Sequence, residues 1–230
     1  MEVEQRILGF CHYRTDLGDG TRTGVVFAGC HGNCHNICTP KFLPLTRPFA
    51  EDTPERDCYT VTELTQYLRE EKVLCYTKRL GVTLMGREPL IASQFCLELA
   101  RRLQKEEMDI NVWTCGAVST QVYRDMKKYC SLFVYRYLTP FSEKIDPCPL
   151  YPRSYALEML SFLDEENFPY RVLVPVVKGM NEKDSAPIAQ ALSSLKHVKS
   201  VVLDFSASDL SAEEQLQYRK DFLNHRLILY

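Results

Sequence analysis

The chain predicts an α/β fold, a parallel sheet covered by helices. Three observations predict it. Apolar runs rich in β-branched residues alternate with stretches of helical period, the alternation recurs six times, and it fills almost all of the 230 residues. A chain of this length buries roughly 70 to 75 per cent of its unfolded surface, so one domain over residues 1–230 is expected. A doubly wound open sheet and a partial (β/α)6 barrel both satisfy the count. Periodicity alone does not choose between them.

The elements follow in order. GVVFAG, residues 24–29, reads as the first strand. Thr60-Val61-Thr62-Glu63 has the spacing of a capping box and opens a helix on which Leu64, Tyr67 and Leu68 share a face. GVTLM, residues 81–85, is a buried strand, and residues 90–105 form a helix with Ile91, Phe95, Leu99 and Leu103 at intervals of four. Strands at 109–114, 131–138, 170–177 and 199–205 are followed by helices near 118–128, 154–164, 184–195 and 212–224. Residues 39–57, with four prolines, read as an irregular loop.

Charge excludes some classes of function. A formal net charge of -2, from 28 basic and 30 acidic residues, leaves no electrostatic footprint for nucleic acid or an anionic membrane. The opening MEVEQRILGFCHYRTD carries acids and no continuous apolar run, and no later segment reaches the roughly 20 apolar residues of a membrane span. A cytoplasmic protein with no membrane or nucleic-acid partner is therefore expected. Its ten cysteines then stay reduced, and a cluster of them suggests metal or catalysis.

The cluster is CHGNCHNIC, which sets Cys30, Cys34 and Cys38 at equal intervals after a strand, where open α/β sheets place their ligands. Zinc would need a fourth ligand from His31, His35 or elsewhere. A c-type haem wants CxxCH, and Cys30 and Cys34 are one residue too far apart for it. A four-iron cluster on three thiolates leaves one iron open to a substrate or cofactor. Three cysteines without metal are the plain alternative. The other seven, Cys11, Cys58, Cys75, Cys96, Cys115, Cys130 and Cys148, have no ligand spacing and read as small core residues.

A second motif stands beside the first. MGREPL, residues 85–90, is a turn after a strand, suited either to close approach of backbone to a ligand or to an ordinary strand-to-helix turn with Pro89 in the first helical turn. GDGTRTGVVFAGCHGNCHNIC followed by GVTLMGREPL resembles the radical S-adenosylmethionine (SAM) superfamily, and within it the activating enzymes of glycyl radical enzymes. INVWTCG, residues 110–116, is similar to activases of anaerobic ribonucleotide reductase, and RVLVPVVKGMNEKD, residues 171–184, to pyruvate formate-lyase activating enzymes.

The resemblance implies the partial (β/α)6 barrel. It implies a [4Fe-4S] cluster on Cys30, Cys34 and Cys38, with SAM on its open iron. Gly86, Arg87, Glu88 and Pro89 would receive the amino group of SAM, Thr114 would face its methionine part, and Ile37 would occupy the slot near adenine. Reduction by a flavodoxin- or ferredoxin-like donor would release a 5'-deoxyadenosyl radical under anaerobic conditions. In an activase that radical takes hydrogen from a glycine of a partner enzyme, a glycyl radical enzyme.

Four departures mark this chain off from the activase pattern. The cysteines read CxxxCxxxC, with Ile37 where the third ligand usually stands. Arg87 replaces the second glycine of GGEP, Tyr135-Arg136-Tyr137 replaces an Asp-x-Lys pair, and Leu203-Asp204-Phe205-Ser206 lacks a histidine. Arg22, Tyr135 and Arg136 are candidate contacts to substrate or partner. A radical SAM enzyme acting on a small molecule or peptide is the alternative reading, and a non-catalytic metal-binding interaction protein is a second.

Overall fold

The computed structural model describes residues 3–29, 58–75, 79–141 and 154–229. They fall into two compact units. The first is made of residues 3–29, 58–75, 79–114 and 118–132, and the second of residues 115–117, 133–141 and 154–229.

The first unit holds β1 (Glu4–Arg14), β2 (Arg22–Phe27), β3 (Cys58–Thr60), α1 (Val61–Leu74), β4 (Gly81–Gly86), α2 (Ser93–Lys105), β5 (Ile110–Thr114) and α3 (Thr120–Met126). Every residue of β2, β4 and β5 is buried, as expected of continuous apolar strands covered on both faces. They run parallel, with Arg22 opposite Gly81, Phe27 opposite Gly86 and Thr83 opposite Asn111. Their carboxyl ends therefore line up. The Phe27 and Phe95 rings meet edge to face at 6.1 Å, so the Phe27 side of β2 faces α2 and the Arg22, Gly24 and Val26 side faces away from it.

Two antiparallel strands were not legible as strands. β1 pairs antiparallel with β2, and β3 pairs antiparallel with β1. In β1 only Ile7 and Cys11 are buried, so its alternation is too weak to read, and β3 is three residues long. The helix expected over 90–105 is split. Glu88 caps a 3-10 turn over Pro89–Ala92 with proline at its start, and α2 begins only at Ser93. The capping box on α1 is as expected, with Thr60 Oγ1 accepting from the Glu63 amide at 3.2 Å and Glu63 accepting from the Thr60 amide at 2.8 Å.

The second unit holds residues 133–136 of β6 (Leu132–Arg136), with α4 (Tyr155–Glu165), β7 (Tyr170–Val177), α5 (Ser185–Ser193), β8 (Val198–Ala207) and α6 (Ala212–Asn224). β6, β7 and β8 run parallel in that order, with Phe133 opposite Tyr170 and Val172 opposite Val201. Two buried polar side chains close its turns. Asp164 accepts from Tyr170 Oη at 2.7 Å and from the amides of His197 at 2.7 Å and Lys196 at 2.9 Å, which joins the end of α4 to the start of β7 and to the segment before β8. Asn181, wholly buried, donates to the Leu138 and Pro175 carbonyls and accepts from the Val177 amide. Among the described residues no helix is long and apolar enough to cross a membrane.

Candidate functional site

The carboxyl ends of β4 and β5 carry the polar arrangement built on the MGREPL turn. β4 stops at Gly86, whose φ of +115° belongs to the region that favours glycine. A Cβ there would lie 2.4 Å from the Phe27 carbonyl oxygen at the end of β2, so no side chain fits. Arg87 follows with negative φ and partial burial, so it does not need the backbone freedom of the glycine it replaces. Pro89 is buried.

Glu88 is only 1% exposed. One carboxylate oxygen accepts from the Leu90 amide at 3.3 Å, which caps the 3-10 turn, and the other accepts from Thr114 Oγ1 at 2.8 Å. Thr114 Oγ1 also lies 2.5 Å from Tyr123 Oη. The Glu88 amide donates to the Gly29 carbonyl at 3.3 Å, tying this turn to the residue just before the cysteine cluster. Three strand ends thus converge through the backbone of Gly29, Gly86 and Glu88 and the side chain of Thr114. Tyr123 was missed at the sequence level, because its hydroxyl reaches Thr114 from α3 and no spacing announces that.

Arg22 lies at the other end of the strands. It is 1% exposed and spends its donors inside the unit: Nε to Thr83 Oγ1 at 2.9 Å, Nη1 to Asp109 Oδ2 at 2.6 Å and the Asp19 carbonyl at 3.0 Å, Nη2 to the Val82 carbonyl at 2.9 Å and the Asp109 carbonyl at 3.0 Å. Burial lowers its pKa, with the Asp109 carboxylate opposing. This geometry makes Arg22 a clamp across the amino ends of β2, β4 and β5.

Tyr135 and Arg136 belong to the second unit and point to opposite faces of β6. Tyr135 is fully buried, and its hydroxyl donates to the Cys115 carbonyl at 3.4 Å. It packs so closely on Gly116 that a Cβ there would lie 2.4 Å from the hydroxyl. Arg136 is 8% exposed, on the face that does not carry Phe133.

Cys30, Cys34, Cys38 and Ile37 lie outside the described residues. Among the described residues no group of histidine, cysteine and acidic side chains has the form of a metal site. Of the cysteines read as core, Cys11, Cys75, Cys96 and Cys130 are buried, Cys115 is half-buried and Cys58 is exposed, while Cys148 lies outside the described residues. Burial pushes the Cys11 thiol up to about 11 and those of Cys96 and Cys130 well above their ordinary value, which disfavours their thiolate forms. Cys58 corrects the core expectation, because it sits on the short edge strand β3.

A family model described as "4Fe-4S single cluster domain" matches residues 17–134, just over half of the chain. The chain belongs to that family. This 4Fe-4S single cluster domain is 30% identical over 129 residues to the isethionate sulfite-lyase activating enzyme of Desulfovibrio desulfuricans, covering 54% of this chain and 41% of the relative. The chain spans about two fifths of the length of the curated relatives it matches.

Solved structures agree. A domain of a pyruvate-formate lyase-activating enzyme from Bacteroides vulgatus matches with a TM-score of 0.57 at 21% identity, over 65% of this chain and 97% of that one. The enzyme anSMEcpe with bound AdoMet and the Kp18Cys peptide matches with a TM-score of 0.61 at 14% identity, over 87% of this chain and 60% of that one. The 4Fe-4S single cluster domain thus has the radical SAM fold, the partial (β/α)6 barrel expected from its sequence. The expected [4Fe-4S] cluster agrees with the matched family, and AdoMet is bound in the anSMEcpe structure.

Proposed function

We propose that this radical SAM protein is an activating enzyme that installs a glycyl radical on a partner enzyme. The observation that carries the cofactor half of this reading is the buried Glu88–Thr114–Tyr123 chain of hydrogen bonds at the strand ends, beside a glycine that leaves no room for a side chain. When bound, a reduced [4Fe-4S] cluster and SAM supply an electron and a sulfonium whose cleavage gives methionine and a 5'-deoxyadenosyl radical.

The residues present fit SAM. A carboxylate as buried as Glu88 interacts strongly with a nearby cation, because little water screens it, and the ammonium of SAM is such a cation. Thr114 and the Leu90 amide fix the carboxylate's orientation, so it need not reorganise when a ligand arrives. Gly86 keeps the end of β4 against the backbone of Phe27. Cys30, Cys34 and Cys38 would hold the cluster, and the hydrogen bond from Glu88 to the Gly29 carbonyl links the SAM-binding turn to the residue before Cys30.

The activase half of the reading is supported by the activating enzymes among the relatives. In it the whole of residues 1–230 acts as one cytoplasmic domain, reduced by a flavodoxin- or ferredoxin-like donor. A second reading, a small-molecule or peptide substrate, is favoured by buried Arg136, since a guanidinium binds carboxylate in a bidentate fork. One experiment separates the two: anaerobic incubation of the reduced, cluster-loaded protein and SAM with a glycyl radical enzyme from the same source. A stable glycyl radical signal on that enzyme, with 5'-deoxyadenosine released in step, supports the activase. Release of 5'-deoxyadenosine with no radical on the partner, but consumption of a small carboxylate, supports the second reading.

A further inference from the structure

β5 carries two buried donors that find no acceptor among the described residues. Asn111 and Trp113 are 1% and 5% exposed, and neither Asn111 Nδ2 nor Trp113 Nε1 has a hydrogen-bond partner among the described residues. They stand two residues apart, on one face of the strand. Asn111 is opposite Thr83, whose hydroxyl bonds Arg22 and the Leu17 carbonyl, so this face is the one turned away from α2. Thr114, which bonds Glu88, is the next residue and points to the other side.

The two orphans differ in what they can mean. The Asn111 amide lies against Gly18, where a Cβ would come within 2.0 Å of Nδ2, and an amide can exchange its donor and acceptor ends by a flip. An indole cannot. Its N–H is a donor and nothing else, and a buried indole N–H normally finds an acceptor. Trp113 is also nearer the carboxyl end of β5, one residue from the Glu88 network.

We propose that Trp113 is a ligand-binding residue whose indole N–H donates to an oxygen of bound SAM on the face of β5 opposite Thr114. The proposal rests on the radical SAM reading of the same strand ends. SAM offers suitable acceptors in its carboxylate and its ribose hydroxyls. The ligand would then be gripped from two sides of one strand end, its ammonium by Glu88 and an oxygen by Trp113.

Trp113 is the only tryptophan in the chain, so its emission reports on this position alone. The test uses full-length protein with its oxidised cluster, which binds SAM without cleaving it. Calorimetry gives the affinity of wild type and Trp113→Phe for SAM, iron analysis and thermal unfolding check that the variant is loaded and folded, and wild-type emission is followed through the same titration. The expected result is an emission change that saturates with the heat signal, and about tenfold weaker binding by Trp113→Phe at unchanged iron content. Equal affinity in the two proteins overturns the proposal. If Trp113→Phe does not fold, wild-type emission decides, and emission that stays constant while heat shows binding overturns it. Wild type that gives no heat at all defeats the underlying SAM reading and the proposal with it. A purely structural Trp113 would lower thermal stability and leave affinity intact.

Discussion

Glu88 has two separable tasks at the scale of a single residue. It caps the turn before α2 through the Leu90 amide, and it presents a buried carboxyl group at the strand ends. Glu88→Gln keeps an acceptor oxygen and loses the charge, whereas Glu88→Ala loses both. The Gln variant should stay near wild-type stability and bind SAM at least about tenfold more weakly. The Ala variant should in addition lose about 1–3 kcal/mol in denaturant unfolding, the cost of a stranded buried donor. Iron content should hold in both, and a Gln variant with normal SAM affinity would return the turn to a purely structural part. Gly86→Ala is predicted to be worse than either for folding. It demands a left-handed backbone from alanine and drives a methyl into the Phe27 carbonyl, for a loss of about 2–4 kcal/mol by the same measurement. At this scale the glycine and the acid were readable, because a short motif names them, but Tyr123 and Trp113, whose indole has no partner among the described residues, were not. Their meaning depends on partners that only the folded chain brings near or withholds.

Among the elements, the parallel strands were legible and the antiparallel β1 and β3 were not. β2, β4 and β5 are buried at every position and carry short apolar stretches rich in β-branched residues, whereas β1 mixes apolar and charged residues, buries only Ile7 and Cys11, and draws its place from pairing with β2. The split before α2 was hidden for a different reason. Ile91 continues the four-residue spacing of the helix face, while Pro89 and the Glu88 cap impose a tighter turn first. Asp164 gives the element scale its own test. Burial alone would raise its pKa, but the hydrogen bonds from the Lys196 amide, Tyr170 and the His197 amide outweigh it and hold the carboxyl below the ordinary carboxylate range. A depressed folded pKa adds stability above the unfolded pKa of about 4, and that stability is lost as pH falls through the folded value. Asp164→Asn should therefore be less stable than wild type at neutral pH, with the gap narrowing below about pH 4 in thermal unfolding. A gap that does not change with pH would assign the effect to packing.

At the scale of the whole molecule, the order of six strand-helix repeats was readable from periodicity, but the choice of a partial barrel over an open sheet was not. Both arrangements use the same buried parallel strands, and only the cysteine and glycine motifs carried the distinction. The same motifs made the cofactors legible. The third cysteine, displaced by one residue with Ile37 before it, is where this chain departs most from the pattern, so the central claim is best tested there. The measurement is iron per chain and the electron paramagnetic resonance spectrum of the anaerobically reconstituted, reduced protein, with and without SAM, for wild type, Cys38→Ala and Cys75→Ala. Wild type and Cys75→Ala should carry about four irons, as a four-iron cluster requires. Both should show a reduced-cluster signal that SAM alters and should release 5'-deoxyadenosine, while Cys38→Ala should lose the signal. Zinc in place of iron, a cluster indifferent to SAM, or full loading without Cys38 would contradict the assignment.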